Sequence, residues 1–202
     1  MNNTKITKVN PLVETKFMGL YDIEYKNKQN TGRNWTVASR KNKDQLEEMY
    51  LQNEEDKIDA VVIAALHKEE NKLVVIKQFR VPINNYIYEL PAGLVDNSED
   101  IKTTVARELK EETGLELIDI NHINSIDKVY LSPGMTDESV AFVYCTCSGK
   151  ISKEYLEADE DIEAILVSQE EAKELLKGNT KIDIKFYLTL QMFVNLGDKL
   201  FI

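Results

Sequence analysis

A chain of 202 residues, 43% hydrophobic and 30% charged, has the balance of a folded globular protein rather than a disordered one. Its length suits one ordinary core plus a smaller appended lobe. A net charge of −10 argues against a nucleic-acid surface, which needs clustered Lys and Arg, so any bound phosphate would need local help such as a divalent metal. The first residues, Met1-Asn-Asn-Thr-Lys-Ile, carry no apolar signal segment, and no stretch approaches the roughly 20 apolar residues of a membrane span. No membrane partner and a cytoplasmic location are therefore expected.

In chain order, Phe17 to Arg40 looks like a β-hairpin turning at Asn27–Gly32, and the polar stretch Lys41–Lys57 looks like a linker with room for a helical turn. A small β lobe over residues 1–57 and a main domain over 58–202 follow from that change of character. Two apolar runs of strand length, Ala60–Leu66 and Lys72–Phe79, open the main core. Ile101–Thr113 is a helix candidate stopped by Gly114. Strand-like runs come next at Ile126–Leu131 and Val140–Cys147. Beyond them lie an acidic segment, Glu154–Glu163, a short apolar run, Ala164–Val167, and helices at Gln169–Lys177 and Ile182–Leu196. Strands and helices mixed without strict βαβ repetition indicate an α/β or α+β sandwich rather than a doubly wound sheet. Cys145 and Cys147 alternate onto one strand face as buried core, and the isolated His67 and His122 suit packing or surface roles.

On the helix at 101–113, Glu108, Glu111 and Glu112 stand at i, i+3 and i+4, so three carboxylates share one stripe beside the apolar pair Val105 and Leu109. Like charges at that spacing cost roughly 0.2–0.5 kcal/mol per pair, so something should compensate. Hard cations such as Mg²⁺ take carboxylate oxygens and bridge to phosphates, whereas a bland reading makes this a solvated acidic face. The surrounding spacing decides between them. From Gly93 through Glu99, Arg107-Glu108-Leu109, Glu111-Glu112 and Gly114-Leu115, the segment resembles the Nudix box at every specified position. A chance match at one starting position is on the order of 10⁻⁹ for ordinary residue frequencies.

Outside the box, Gln78-Phe-Arg80, Tyr88-Glu-Leu-Pro-Ala-Gly93, Tyr130–Glu138 with Pro133, and Gly32-Arg-Asn-Trp35 through Arg40 resemble the flanking motifs of the ADP-ribose and ADP-sugar pyrophosphatase branch. The resemblance implies a Nudix fold, a mixed sheet sandwiched between helices, with a small N-terminal β lobe. It implies metal-dependent hydrolysis of ADP-ribose to AMP and ribose 5-phosphate, with Mg²⁺ or Mn²⁺ held by Glu108, Glu112 and the carbonyl of Ala92. Glu111 would stand behind those ligands, and Glu99 and Arg107 would join loop to helix. Arg80, Arg40 and Glu138 fall at substrate-contact positions. On the acidic loop Glu160 would ligate metal or activate water, with Glu157 and Asp159 as its neighbours. The resemblance also implies a homodimer in which the lobes of two chains build one base site from Trp35 and Phe17. Other nucleotides remain as alternative substrates, namely another nucleotide sugar, NADH or an oxidised nucleoside triphosphate. So does a module that senses ADP-ribose without cleaving it, although such a module need not keep Glu108 and Glu112.

Overall fold

The computed structural model describes residues 5–96, 99–158 and 160–201, and the chain divides into two compact units, residues 1–59 with 128–140 and residues 60–127 with 141–202. In the first unit β1 (Ile6–Glu14), β2 (Gly19–Lys26) and β3 (Gly32–Ser39) form an antiparallel sheet in that order. The hairpin expected from alternation is β2–β3, paired from Gly19↔Ser39 to Lys26↔Gly32. The turn is closed by Asn27, whose side-chain oxygen accepts from the amides of Gln29 and Thr31. Strand β1 was not legible in the sequence, because it buries only Val9 and carries Pro11, a residue tolerated on an edge strand.

The stretch expected to be mostly linker is instead α1 (Lys43–Glu47), running into a π-helical turn at Glu48–Gln52. A capping box starts α1: the Asn42 side chain accepts from the Gln45 amide, and the Gln45 side chain accepts from the Asn42 amide. Leu46 then anchors it in a small core with Val9, Tyr21 and Ile23.

In the second unit, the mixed sheet runs β11-β5-β4-β10-β8, with β6 added to β5, β7 to β4 and β9 to β10. These strands are β4 (Ala60–His67), β5 (Lys72–Arg80), β6 (Asn85–Glu89), β7 (Ala92–Leu94), β8 (Glu116–Ile120), β9 (Ile126–Tyr130), β10 (Ser139–Ser148) and β11 (Ile162–Val167). The division between units passes through β9 and β10. Strand β4 is buried along its whole length, as its unbroken apolar run requires of a central strand. The short strands β6, β7 and β8 escaped the sequence reading because none carries a long alternating run.

Helix α2 (Ile101–Thr113) starts on Asp100, which accepts from the Thr103 amide, and ends at Gly114 with φ 77°. It packs on β4, β7, β8 and β11. Helix α3 (Gln169–Lys177), begun by a Ser168/Glu171 capping box, packs on α4 (Ile184–Leu196), which in turn touches β6. Cys145 and Cys147 are both buried free thiols, and burial pushes the Cys147 thiol up to about 12. His67 is buried, its Nε2 3.0 Å from the Gly149 carbonyl oxygen, and His122 is exposed. No helix among the described residues is long and apolar enough to cross a membrane.

Candidate functional site

In the second unit two of the three carboxylates of the α2 stripe are turned away from water, while the Glu111 side chain stays 40% exposed. The buried face of α2 comprises Val105 and Leu109 together with Glu108 and Glu112, which are only 8% and 4% exposed. An apolar strip alone would seat the helix; here two acids are drawn in with it. Glu112 is held by the backbone of β7, its Oε2 accepting from the Ala92 amide at 2.9 Å, and it forms no ion pair among the described residues. Glu108 lies directly over Gly93, where an added Cβ would overlap its carboxylate. That glycine is therefore required by the acid packed on it.

Arg107 organises the rest of the box. Its guanidinium donates to Glu99 at 2.9–3.2 Å, to the Leu94 carbonyl at 3.0 Å, to Glu108 Oε1 at 2.7 Å and to Glu111 Oε2 at 3.0 Å. The Glu99–Arg107 bridge is the one expected from the sequence; the grip on Glu108 and Glu111 is an addition. Glu160 is turned onto its own loop, accepting from the Glu157 amide at 2.9 Å. The neighbouring Asp161 is bonded to the Tyr86 hydroxyl and to the Phe79 amide. Asp159 lies outside the described residues. Arg80 donates to both oxygens of the buried Glu89, at 2.5–3.1 Å, a partner that the sequence did not single out although it sits in the run before Gly93.

Burial is the main cause that raises the Glu112 carboxyl well above its ordinary range, with Glu108 and Glu160 adding repulsion while the Ala92 amide and Arg80 oppose it. Glu108 is raised chiefly by burial as well, against the pull of Arg107. Among the described residues no three His, Cys, Asp or Glu side chains already stand as a metal-holding group. Arg107 occupies Glu108 and Glu111, and the Glu157 amide occupies Glu160. The donors nevertheless fit a hard cation: they are carboxylate oxygens, crowded, buried and short of positive charge at Glu112.

The first unit holds the remaining candidates. Arg40 and Glu138 are brought together, Nε to Oε1 at 3.0 Å. Trp35 is 53% exposed, with its indole N–H donating to the Gly134 carbonyl at 3.3 Å, and Phe17 is 71% exposed beneath the Lys16 ammonium. A cleft of about 370 Å³ opens beside Trp35, lined also by Met49, Tyr50, Asp56, Tyr130, Met135 and Asp137. Sequence reasoning missed this cleft, because its walls come from four separated segments with no fixed spacing.

A model of the NUDIX domain matches residues 56–190. The chain is 35% identical over 133 residues to an ADP-ribose pyrophosphatase of Bacillus subtilis (strain 168), covering 65% of this chain and 70% of the relative. It is 31% identical over 148 residues to an ADP-ribose pyrophosphatase of Saccharomyces cerevisiae, covering 70% of this chain and 58% of that protein. A solved structure described as an ADP compounds hydrolase superposes with a TM-score of 0.70 at 17% identity, over 97% of this chain and 94% of the other, which shows a shared fold. With Glu108 and Glu112 of its box on the buried face of α2, this chain belongs to the Nudix family, on the branch of the ADP-ribose pyrophosphatases.

Proposed function

We propose that the protein hydrolyses the diphosphate bond of ADP-ribose or a related ADP-sugar, releasing AMP and ribose 5-phosphate. The observation that carries this reading is the buried carboxylate pair Glu108 and Glu112 beside the β7 backbone, of which Glu112 forms no ion pair among the described residues while Glu108 shares Arg107 with Glu99 and Glu111. The names of the pyrophosphatase relatives supply the substrate class. Glu108, Glu112, the Ala92 carbonyl and Glu160 would hold Mg²⁺ or Mn²⁺, with Glu111 behind them. Once bound, such a cation neutralises diphosphate charge and lowers the pKa of attacking water.

The chain's own side chains divide the remaining work. Arg107 fixes Glu108 and Glu111 against the Glu99 loop, so the acids are oriented before substrate arrives. Arg80, pinned by Glu89, presents a planar guanidinium to phosphate oxygens, and Arg40 with Glu138 contacts nearby substrate groups. Glu160, freed from the Glu157 amide, takes a proton from water or ligates the cation. In the first lobe Leu12, Val13, Phe17 and Met18 are exposed, and we assign this apolar surface to a homodimer in which Trp35 and Phe17 of the partner subunit enclose the base.

The test is product analysis after incubation with ADP-ribose and Mg²⁺. AMP and ribose 5-phosphate in equal amounts, lost with EDTA and regained with excess Mg²⁺, are expected. Binding of ADP-ribose without turnover of any nucleotide sugar would overturn the reading in favour of a sensor.

A further inference from the structure

Resting on the role assigned above to Glu160, we infer that Tyr86 is a positioning residue: through Asp161 it fixes the backbone from which the Glu160 side chain works. The observation is a row of three residues across three strands of the second unit. Tyr86 of β6 stands opposite Phe79 of β5. On the other edge of β5, Gln78 pairs with Ile162, the first residue of β11, so the antiparallel ladder sets Phe79 opposite Asp161. The Phe79 amide donates to the Asp161 carbonyl oxygen at 3.2 Å, and the Tyr86 hydroxyl reaches past Phe79 to donate to the Asp161 carboxylate. The Tyr86 and Phe79 rings meet edge to face, with centroids 5.5 Å apart, and the Lys77 ammonium lies 5.3 Å from the centre of the Tyr86 ring. Asp161 is thus held by both its backbone and its side chain, and Glu160 is the next residue along the chain.

Charge explains why an anchor is needed. Glu160 repels both Glu108 and Glu112, so its segment is pushed away from the acids it is to work beside. Its bonds to Glu157 do not oppose that push: the Glu160 amide donates to the Glu157 carbonyl at 3.1 Å and its carboxylate accepts from the Glu157 amide, and both bonds travel with the turn. The far end of the same segment is tied to α2, where the Ser152 amide donates to the Thr113 carbonyl at 3.0 Å and the Lys110 ammonium lies 4.8 Å from the centre of the Tyr155 ring. The near end depends on Asp161. The bond to Asp161 raises the Tyr86 hydroxyl above its ordinary range, so it remains a donor at neutral pH. A hydrogen bond to a carboxylate is roughly twice as strong as a neutral one, and a 1 Å misplacement of a catalytic group costs up to ~10²-fold in rate.

Tyr86→Phe removes the hydroxyl and keeps the ring against Phe79 and Lys77, which preserves the sheet. With ADP-ribose and Mg²⁺ it should lower kcat about 10-fold and leave KM within about twofold, because the loss falls on the placement of Glu160. Asp161→Ala should do the same, and the two changes together should cost no more than either alone. Asp161→Asn keeps an amide oxygen that accepts from the phenol and should recover most of the rate. In the Glu160→Gln background Tyr86→Phe should cost less than about twofold, since the group it positions is already gone. Amide hydrogen exchange gives a readout without turnover: protection at Phe79 and Glu157 should fall about 10-fold in Tyr86→Phe while the β4 amides keep theirs. Wild-type kcat in Tyr86→Phe, a full loss repeated in the Glu160→Gln background, or unchanged exchange at both amides each overturns the inference. A wild type that cleaves no ADP-sugar, or a fully active Glu160→Gln, refutes the activity or the role proposed above, and the exchange measurement then decides this inference by itself.

Discussion

Both units shelter several carboxylates, and the contrast between them lies at Glu112, since Glu89 and Glu108 of the second unit are paired with Arg80 and Arg107. In the first unit Asp56, Asp59 and Asp137 surround one ammonium, that of Lys41, at 3.1–3.3 Å, and Lys128 adds a second cation to Asp56 at 2.5 Å. Burial works against the charged form of Asp56, but the Lys128 bond and the two lysine charges outweigh it and hold this carboxyl below its usual range. In the second unit Glu112 accepts from one amide and forms no ion pair among the described residues, and burial with repulsion from Glu108 and Glu160 outweighs the pull of the Ala92 amide and Arg80 and pushes its carboxyl up. The first cluster is internally compensated and structural, whereas the second stores a deficit of positive charge that a bound cation can relieve. Local acid content says little about function until the compensating charges are counted.

The sharpest way to break that contrast is to remove the shared ammonium. Lys41→Met strips the sheltered Asp59 and Asp137 of their ammonium while Asp56 keeps Lys128, and should destabilise the protein by about 3–5 kcal/mol, measured by urea unfolding. A loss under 1 kcal/mol would show that the first cluster does not depend on Lys41. At α2 the expected effect falls on catalysis instead. Glu112→Gln or Glu108→Gln should lower kcat by at least ~10²-fold, about 2.7 kcal/mol of barrier, while thermal unfolding in EDTA shows no loss of stability for Glu112→Gln. Near-normal turnover in both variants would place the catalytic acids elsewhere. Glu160→Gln should approach the same ~10²-fold loss in kcat with KM changed far less, since its contribution falls on the transition state. If Glu157→Gln is the damaging change instead, the working acid has been misplaced by three residues.

Gly93→Ala tests whether position as well as charge matters in the second unit. The new methyl must displace the Glu108 carboxylate, and a kcat about 10-fold lower is expected with Mg²⁺ binding weakened alongside. Unchanged values would mean that Glu108 has a second productive position. The smallest effect concerns pH. Because the folded-state carboxyl of Asp56 is depressed, its stabilisation is present above the ordinary carboxylate range and is lost as pH falls through the folded value. Asp56→Asn should therefore cost about 1.5 kcal/mol near neutrality and flatten the acid side of the stability profile, seen by repeating the urea titration from pH 7 downward.

The sequence by itself determined the parts whose physics is local or fixed in spacing. The i, i+3, i+4 glutamates, the Gly114 stop and the alternation of β2 and β3 each follow from backbone periodicity, and α2, α3 and the hairpin stand where those patterns put them. The box spacing likewise carried the family. Only the tertiary structure decided which of the box acids are buried, because burial depends on β7 lying against α2 and on Gly93 leaving room for Glu108. It alone showed that Arg107 grips four groups, that Glu89 holds Arg80, and that residues 43–52 are helical and contribute Met49 and Tyr50 to a cleft. Lys41 and Asp137 are 96 positions apart in the chain, and no periodicity relates them. Their 3.2 Å contact exists because two strand-end segments converge, an event that solvent exclusion and chain packing impose and that local pattern does not encode.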